Sequence, residues 1–276
     1  MKTPLLEIKN IKLNVNNFGI NDINLDLHQG EVHVIMGENG SGKSLLMQII
    51  SGFVVPDSGE IYINGQLIKL KNISALSSKD VIYIRQDVDM FENLSIAENL
   101  YFHNLPYKNK LLKVVDFEKL NFQFRQIIDE LDLPVTVFDT VNTLGLAQRQ
   151  ILEFCKAYIS NAKIVILDEP SASLSHSERE LLYNIVRQIQ SKGAGIFYIT
   201  HRIDDVLAIG DRISIIKKGT LIGTKIVSES TEEQIIKMLS DNYIKGRYPK
   251  MHLKKGKTIL SVKDLGFAGK LNNINF

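Results

Sequence analysis

The stretch Gly37-Glu38-Asn39-Gly40-Ser41-Gly42-Lys43-Ser44 limits what this chain can fold into more than any other. An apolar run, Val32 to Met36, precedes it, and Leu45-Leu46-Met47-Gln48-Ile49-Ile50 follows with the make-up of a helix. Strand, glycine-rich loop and helix at this spacing form the setting in which a loop wraps a phosphate. Glycines leave no Cβ to obstruct a curling backbone, so successive N–H groups can converge on one anionic group. Lys43 is placed to reach the β- and γ-phosphates, the Ser44 hydroxyl to ligate Mg²⁺, and the helix start at Leu45 to add its positive dipole end.

Around that loop the chain reads as α/β. Leu5 to Val15 and Ile20 to Leu27 alternate apolar and polar residues, which predicts two strands joined at Asn16-Asn17, with Phe18 between them. Further strands are expected at Glu60 to Ile63, with a turn after it, and at Val81 to Ile84, which ends in Arg85-Gln86-Asp87. From about 88 to 160 the pattern turns helical, with Ser95 as an N-cap and apolar residues at helical spacing over Phe117–Leu131 and Gln148–Ile159. Unbroken apolar runs then return at Ile164 to Leu167 and Gly195 to Ile199. Such runs suit central strands of a parallel sheet covered on both faces, with a crossover helix over about 177–190. A hairpin around Lys218-Gly219-Thr220 and a short helix capped by Thr231 follow.

Two features make acidic and imidazole groups converge on the loop. The strand ending at Leu167 leads into Asp168-Glu169-Pro170, which places Asp168 to bind Mg²⁺ and Glu169 to act as general base or to orient water against a γ-phosphate. The next strand ends in Thr200-His201-Arg202. If the strands are parallel neighbours, His201 reaches the same edge as Asp168 and Gln86, within reach of the γ-phosphate or the attacking water.

An internal repeat bears on domain organisation. Leu5 to Ile11 matches Ile259 to Leu265, and Ile20 to Leu25 matches Leu271 to Phe276, in the same order and at similar intervals. The expected organisation is one nucleotide-binding domain over 1–240, a linker over 241–257, and the start of a second copy over 258–276. A strand pair without partner elements forms no core, so the chain is expected to be a fragment of a longer one, its last twenty residues poorly ordered or docked non-natively.

Composition narrows the classes. A net charge of +2 with scattered lysines supplies no broad field for nucleic acid or an anionic membrane. The small basic cluster Lys254-Lys255 with Lys257 reads as solvated linker. The single cysteine, Cys155, excludes an intrachain disulfide and sits in a helical pattern, which implies a buried apolar role and a reducing, cytoplasmic compartment. No apolar run approaches the ~18–20 residues of a membrane span, so any membrane involvement runs through a partner.

These motifs together resemble the ATP-binding cassette (ABC) ATPases that power membrane transporters, over residues 1 to about 240. The resemblance rests on the loop Gly37–Ser44, on Gln86, on Asp168-Glu169, on His201, and on Leu144-Gly145-Leu146-Ala147-Gln148, which aligns with the family's signature Leu-Ser-Gly-Gly-Gln. It implies a P-loop NTPase fold: a RecA-like core, an N-terminal antiparallel β subdomain and a helical subdomain at about 88–160. It implies ATP and Mg²⁺ as ligands, with Ser44, Gln86 and Asp168 around the metal and Glu169, His201 and Gln86 in catalysis. Ser171 to Ser175 would cross to a partner cassette. Phe18 is the candidate to stack on adenine, at a shorter spacing than usual.

The wording is similar, more narrowly, to tandem-cassette monosaccharide importers of the ribose/galactose/xylose type. Ile151-Leu152-Glu153-Phe154-Cys155-Lys156-Ala157, Gly30-Glu31-Val32-His33, Leu94 to Asn99, Thr200 to Val206 and the linker residues Gly246-Arg247-Tyr248-Pro249 carry that likeness. The resemblance implies an ATPase that drives sugar uptake on the inner face of the membrane, with a second ABC domain, membrane permease subunits, a solute-binding protein and no nucleic acid as partners. Nucleoside importers share the layout. A soluble tandem-cassette ATPase acting on ribosomes would need a longer charged linker than Asp241 to Lys257, and intact Lys43, Asp168, Glu169 and His201 argue against a degenerate regulatory cassette. One departure stands out: Gly145 replaces the signature serine, whose lost hydrogen bond to a charged group costs roughly 1.5–3 kcal/mol. The site that uses this signature is therefore expected to be weak.

Overall fold

A computed structural model describes residues 3–15, 18–69, 80–85, 90–109, 111–239, 260–268 and 271–275. It divides into two units, residues 1–241 and 242–276. The linker expected at 241–257, with its basic cluster, falls outside the described residues up to 259.

The first unit is built on a six-stranded sheet. Its strands are β3 (Val32–Met36), β6 (Val81–Ile84), β9 (Ile164–Asp168), β10 (Gly195–Ile199), β11 (Arg212–Lys217) and β12 (Thr220–Ile226), in the order β12-β11-β3-β10-β9-β6. All neighbours are parallel except β11 and β12, the expected hairpin. Every residue of β3 and β10 is buried, which is why these strands read as unbroken apolar runs.

Alternate residues of those strands enter different cores. Val165, Leu167, Ile196 and Tyr198 pack on one face with Leu152 of α4 (Leu146–Ser160) and Ile185 of α5 (His176–Ser191). Ile164, Ile166, Phe197 and Ile199 pack on the other with Leu46, Ile49 and Ile50 of α1 (Lys43–Ile50). That second core also takes Leu6, Ile8 and Ile11 from an antiparallel sheet ordered β2-β1-β4-β5, made of β1 (Leu6–Val15), β2 (Phe18–Leu27), β4 (Ser58–Ile63) and β5 (Gln66–Ile68). The period-2 burial of β1 is the alternation visible in its sequence. Phe18 begins β2, paired with Val15, rather than lying between strands.

The middle of the unit carries α2 (Ile96–Leu100), α3 (Phe117–Leu131) and α4. Ser95 caps α2 in a full capping box: its hydroxyl accepts from Glu98 N–H, and the Glu98 carboxylate accepts from Ser95 N–H at 2.9 Å. This region is not purely helical. A small hairpin of β7 (Tyr107–Asn109) and β8 (Val114–Val115) interrupts it, too short for any periodicity to announce. After β10 come α6 (Ile203–Ile209), which the sequence reading passed over, and α7 (Glu232–Leu239), with Thr231 and Gln234 bonded reciprocally at its start.

The second unit contributes a hairpin of β13 (Leu265–Phe267) and β14 (Leu271–Ile274). It repeats part of the internal geometry of β1–β2, pairing Leu265 with Ile274 as Ile11 pairs with Ile23. Asn10 and Asp264, matched in the repeat, have φ 51° and 52°, and Asp22 and Asn273 both have φ 54°. Asn24 Oδ1 accepts from Asn10 N–H at 2.9 Å, and Asn275 Oδ1 accepts from Asp264 N–H at 2.9 Å. Asn24 Nδ2–H donates to the Asp22 carbonyl as Asn275 Nδ2–H donates to that of Asn273. Asn and Asp tolerate the left-handed region because their short polar side chains bond locally.

Candidate functional site

The glycine-rich loop leaves β3 and curls onto the N-terminus of α1. Gly40 and Gly42 have φ 74° and 105°, which only glycine adopts without strain. Gly37 is fixed by close approach instead: a Cβ there would lie 2.1 Å from the Ile216 carbonyl oxygen. The β11–β12 turn braces the loop from outside, Gly219 N–H donating to the Ser41 carbonyl at 2.9 Å. Glu38, Asn39 and Gly40 are exposed at the crest, and Ser44 and Leu45 open the first turn of α1, whose N–H groups have no intrahelical acceptor.

Lys43 is buried and bridges the loop, its ammonium donating to the carbonyls of Gly37 and Glu38, both at 2.9 Å. Burial lowers its pKa, opposed by the charges of Glu169 and Asp168. The Ser41 hydroxyl is buried without a hydrogen-bond partner. A buried cation, an unpartnered hydroxyl and free helix N–H groups around a loop that excludes Cβ atoms fit a polyphosphate.

The acidic groups stand where the parallel register puts them. Ile199 of β10 pairs with Asp168 at the end of β9, so the residues that follow lie side by side. His201 Nδ1 is 3.4 Å from Glu169 Oε2. His201 and Asp168 therefore share one edge of the sheet, as neighbouring parallel strands lead one to expect, while Gln86, expected at the same edge, lies outside the described residues. Glu169 has φ 49°, in the left-handed region, and is held there by its N–H donating to the Ile199 carbonyl at 3.0 Å. A non-glycine residue in this region carries strain of order 1–3 kcal/mol, which clusters at functional sites.

Tyr83 is a residue the sequence reading missed. Its hydroxyl donates to Asp168 Oδ2 at 2.6 Å, from the edge strand β6 that leads toward Gln86. Desolvation, then the hydrogen bond to Asp168, pushes the Tyr83 pKa up. Only the register of β6 against β9, which sets Tyr83 beside Ile166, could have signalled it. Hard oxygen donors from Ser44 and Asp168 suit Mg²⁺, which commonly takes one or two protein ligands and fills its shell with water and phosphate. Gln86 and the Phe18 side chain lie outside what is described, and among the described residues no cluster of three or more His, Cys, Asp or Glu forms a metal centre of its own.

The signature segment is in a different place. Leu144 is buried, Gly145 is the N-cap of α4 at φ −68°, and Leu146 is exposed. The Gln148 side chain turns back to accept from Gly145 N–H at 3.1 Å, the half of a capping box that needs no side chain at the cap. Ala147 lines, with Gly145 and Gln148, a cavity of about 430 Å³ closed by Leu133, Glu178 and Leu181. This cavity is lined by none of the residues of the phosphate loop. Cys155 is fully buried in α4 and burial pushes its thiol up, as its apolar role requires.

A family model described as ABC transporter matches residues 20–172. The putative ribose/galactose/methyl galactoside import ATP-binding protein 2 of Burkholderia lata is 34% identical over 257 residues, 93% of this chain and 48% of that protein. The galactose/methyl galactoside import ATP-binding protein MglA of Clostridium perfringens is 34% identical over 99% of this chain and 53% of its own length. The chain thus spans about half the length of the curated relatives it matches. Among solved structures, the ADP conformation of an ATP-binding cassette of an ABC transporter superposes with a TM-score of 0.71 at 25% identity, covering 86% of this chain and 95% of the other.

Proposed function

Because the chain belongs to the ABC transporter family, we propose that it is the first ATP-binding cassette of a tandem importer, hydrolysing Mg-ATP to drive sugar uptake through partner permease subunits. One observation carries the ATPase reading: Glu169 and His201 meet at 3.4 Å on the edge of the sheet whose next strand, β3, feeds the phosphate loop. Sugar as the solute rests on the printed names of the relatives, which are ribose and galactose import proteins. Membrane attachment is assigned to partners, since among the described residues no helix is long and apolar enough to cross a membrane.

In this reading the loop N–H groups and Lys43 bind the phosphates, and Lys43 exchanges its two carbonyl acceptors for phosphate oxygens. Ser44, Asp168 and Gln86 would hold Mg²⁺, which when bound would neutralise phosphate charge. Tyr83 occupies Oδ2 of Asp168, so Oδ1 is the oxygen that would serve the ion. Glu169 accepts the proton of the attacking water, and His201 beside it orients the Glu169 carboxylate. Leu144–Gln148 serves the nucleotide of a second cassette. The shared asparagine bond of the β13–β14 and β1–β2 hairpins supports reading 258–276 as the start of that cassette.

Thermal unfolding tests the binding half. Mg-ATP at about 100 times its Kd should stabilise the chain by about 2.7 kcal/mol, and Lys43→Ala should abolish the shift without lowering the unliganded melting temperature by a similar amount. A wild-type chain that Mg-ATP leaves unshifted would refute the proposal.

A further inference from the structure

The β-ladder that aligns β9 with β10 stops at Asp168 and Ile199, one residue before Glu169 and two before His201. Beyond it one backbone bond, Glu169 N–H to the Ile199 carbonyl, joins the two segments, and a side-chain tie supplements it. Asp205, in the first turn of α6, is fully buried. Its Oδ2 accepts from Ser171 Oγ–H at 2.5 Å and from Thr200 Oγ1–H at 2.6 Å, and its Oδ1 accepts from the Tyr183 hydroxyl at 2.6 Å. Arg202 Nε lies 3.9 Å from the same Oδ1.

We propose that Asp205 is the positioning residue that holds the Glu169 loop and the His201 loop in register, through Ser171 on one side and Thr200 on the other. A buried carboxylate is tolerated only when fully bonded, and three hydroxyl donors meet that condition here. Ser171 is joined to Glu169 through Pro170 alone, whose ring fixes the intervening φ. Thr200 precedes His201 directly, and its Oγ1 also accepts from Arg202 N–H at 3.0 Å, so the backbone on both sides of the histidine is tied to the same carboxylate. Tyr183 anchors the arrangement to α5, the helix into which the Ser171 loop runs. Neither end of Asp205 touches the expected position of the phosphates; it acts through the residues it holds.

The inference rests on Glu169 and His201 being the catalytic pair, and its test reads their geometry without nucleotide. Long-range ¹H–¹⁵N spectra of histidine-labelled chain at pH 8, with His201 assigned by His201→Gln, report which ring nitrogen carries the proton. Pairing with Glu169 should hold it on Nδ1. Asp205→Ala should lose that signal in favour of the tautomer mixture of free imidazole. Ile235→Ala, which truncates a buried residue of α7, should keep it at a comparable loss of melting temperature, so that destabilisation alone is discounted. If Asp205→Ala does not fold, Ser171→Ala and Thr200→Val each cut one tie and should each weaken the Nδ1–H signal. Retention of the wild-type signal in folded Asp205→Ala, or in both single-tie variants, would overturn the proposal. A chain that fails to bind ATP would sink the functional reading and leave this geometry standing.

Discussion

At the scale of the residue, His33 shows how a buried titratable group taxes the fold without serving the site. Its Nδ1–H donates to the Asp26 carbonyl at 2.9 Å and its Nε2 accepts from Ser214 Oγ–H at 2.8 Å, with no exposed surface. Desolvation, then the neighbouring Arg212 charge, lowers its pKa to about 3. Between the unfolded value near 6.5 and that folded value, the unfolded chain binds a proton the folded chain refuses. Stability is therefore unaffected above about pH 7 and falls as the pH drops, by about 2 kcal/mol at pH 5 from this group alone. Urea unfolding at pH 7 and pH 5 should show that loss, and His33→Gln should remove about one proton from the slope. Equal slopes in the two proteins would contradict the assignment. Glu169 is the opposite case, a residue kept in an unfavourable backbone region at the place where its carboxylate meets His201.

At the scale of the element, caps and strand ends were the legible parts. Ser95, readable as an N-cap, announced α2, a helix of only five residues whose start the structure closes with a capping box to Glu98. Ser95→Ala should cost about 1 kcal/mol in denaturant unfolding, and Ser95→Thr should recover most of it; an unchanged midpoint in the alanine variant would show the box to be idle. The bounds of α3 coincide with its pattern because periodicity and the Asp116 cap agree there, and those of β10 because its apolar run is unbroken. The β7–β8 hairpin and α6 escaped, being three, two and seven residues long, below the length at which a period can be read. The site divides in the same way. The loop, Asp168, Glu169 and His201 were legible because each sits at a fixed offset from an apolar strand. Tyr83 and Asp205 were not, since each acts across sequence separations of 85 and 34 residues, on Asp168 and Ser171, that only the sheet closes.

At the scale of the whole molecule, the proposed function makes the absence of a hydroxyl at Gly145 the limit on what the chain can do by itself. Two copies would have to lend each other a signature without its serine, so turnover by the isolated chain should be low. The backbone there is already that of an N-cap, and a Cβ would meet nothing nearer than Gln148 Oε1 at 3.8 Å. Gly145→Ser should therefore be accommodated, should gain a few tenths of a kcal/mol in stability, and should raise ATP hydrolysis by roughly 10- to 150-fold, the equivalent of a hydrogen bond to a charged group. Vigorous turnover by the wild-type chain, abolished by Glu169→Gln, would show the reasoning to be wrong. The twin hairpins have a further consequence, for the order of events during synthesis. Two segments with the same bulge, the same asparagine clamp and the same apolar face can compete for one seat beside β4. If 258–276 opens a second cassette as proposed, that exchange is avoided in time: the first hairpin, emerging from the ribosome some 250 residues ahead of its twin, would close against β4 before its rival exists.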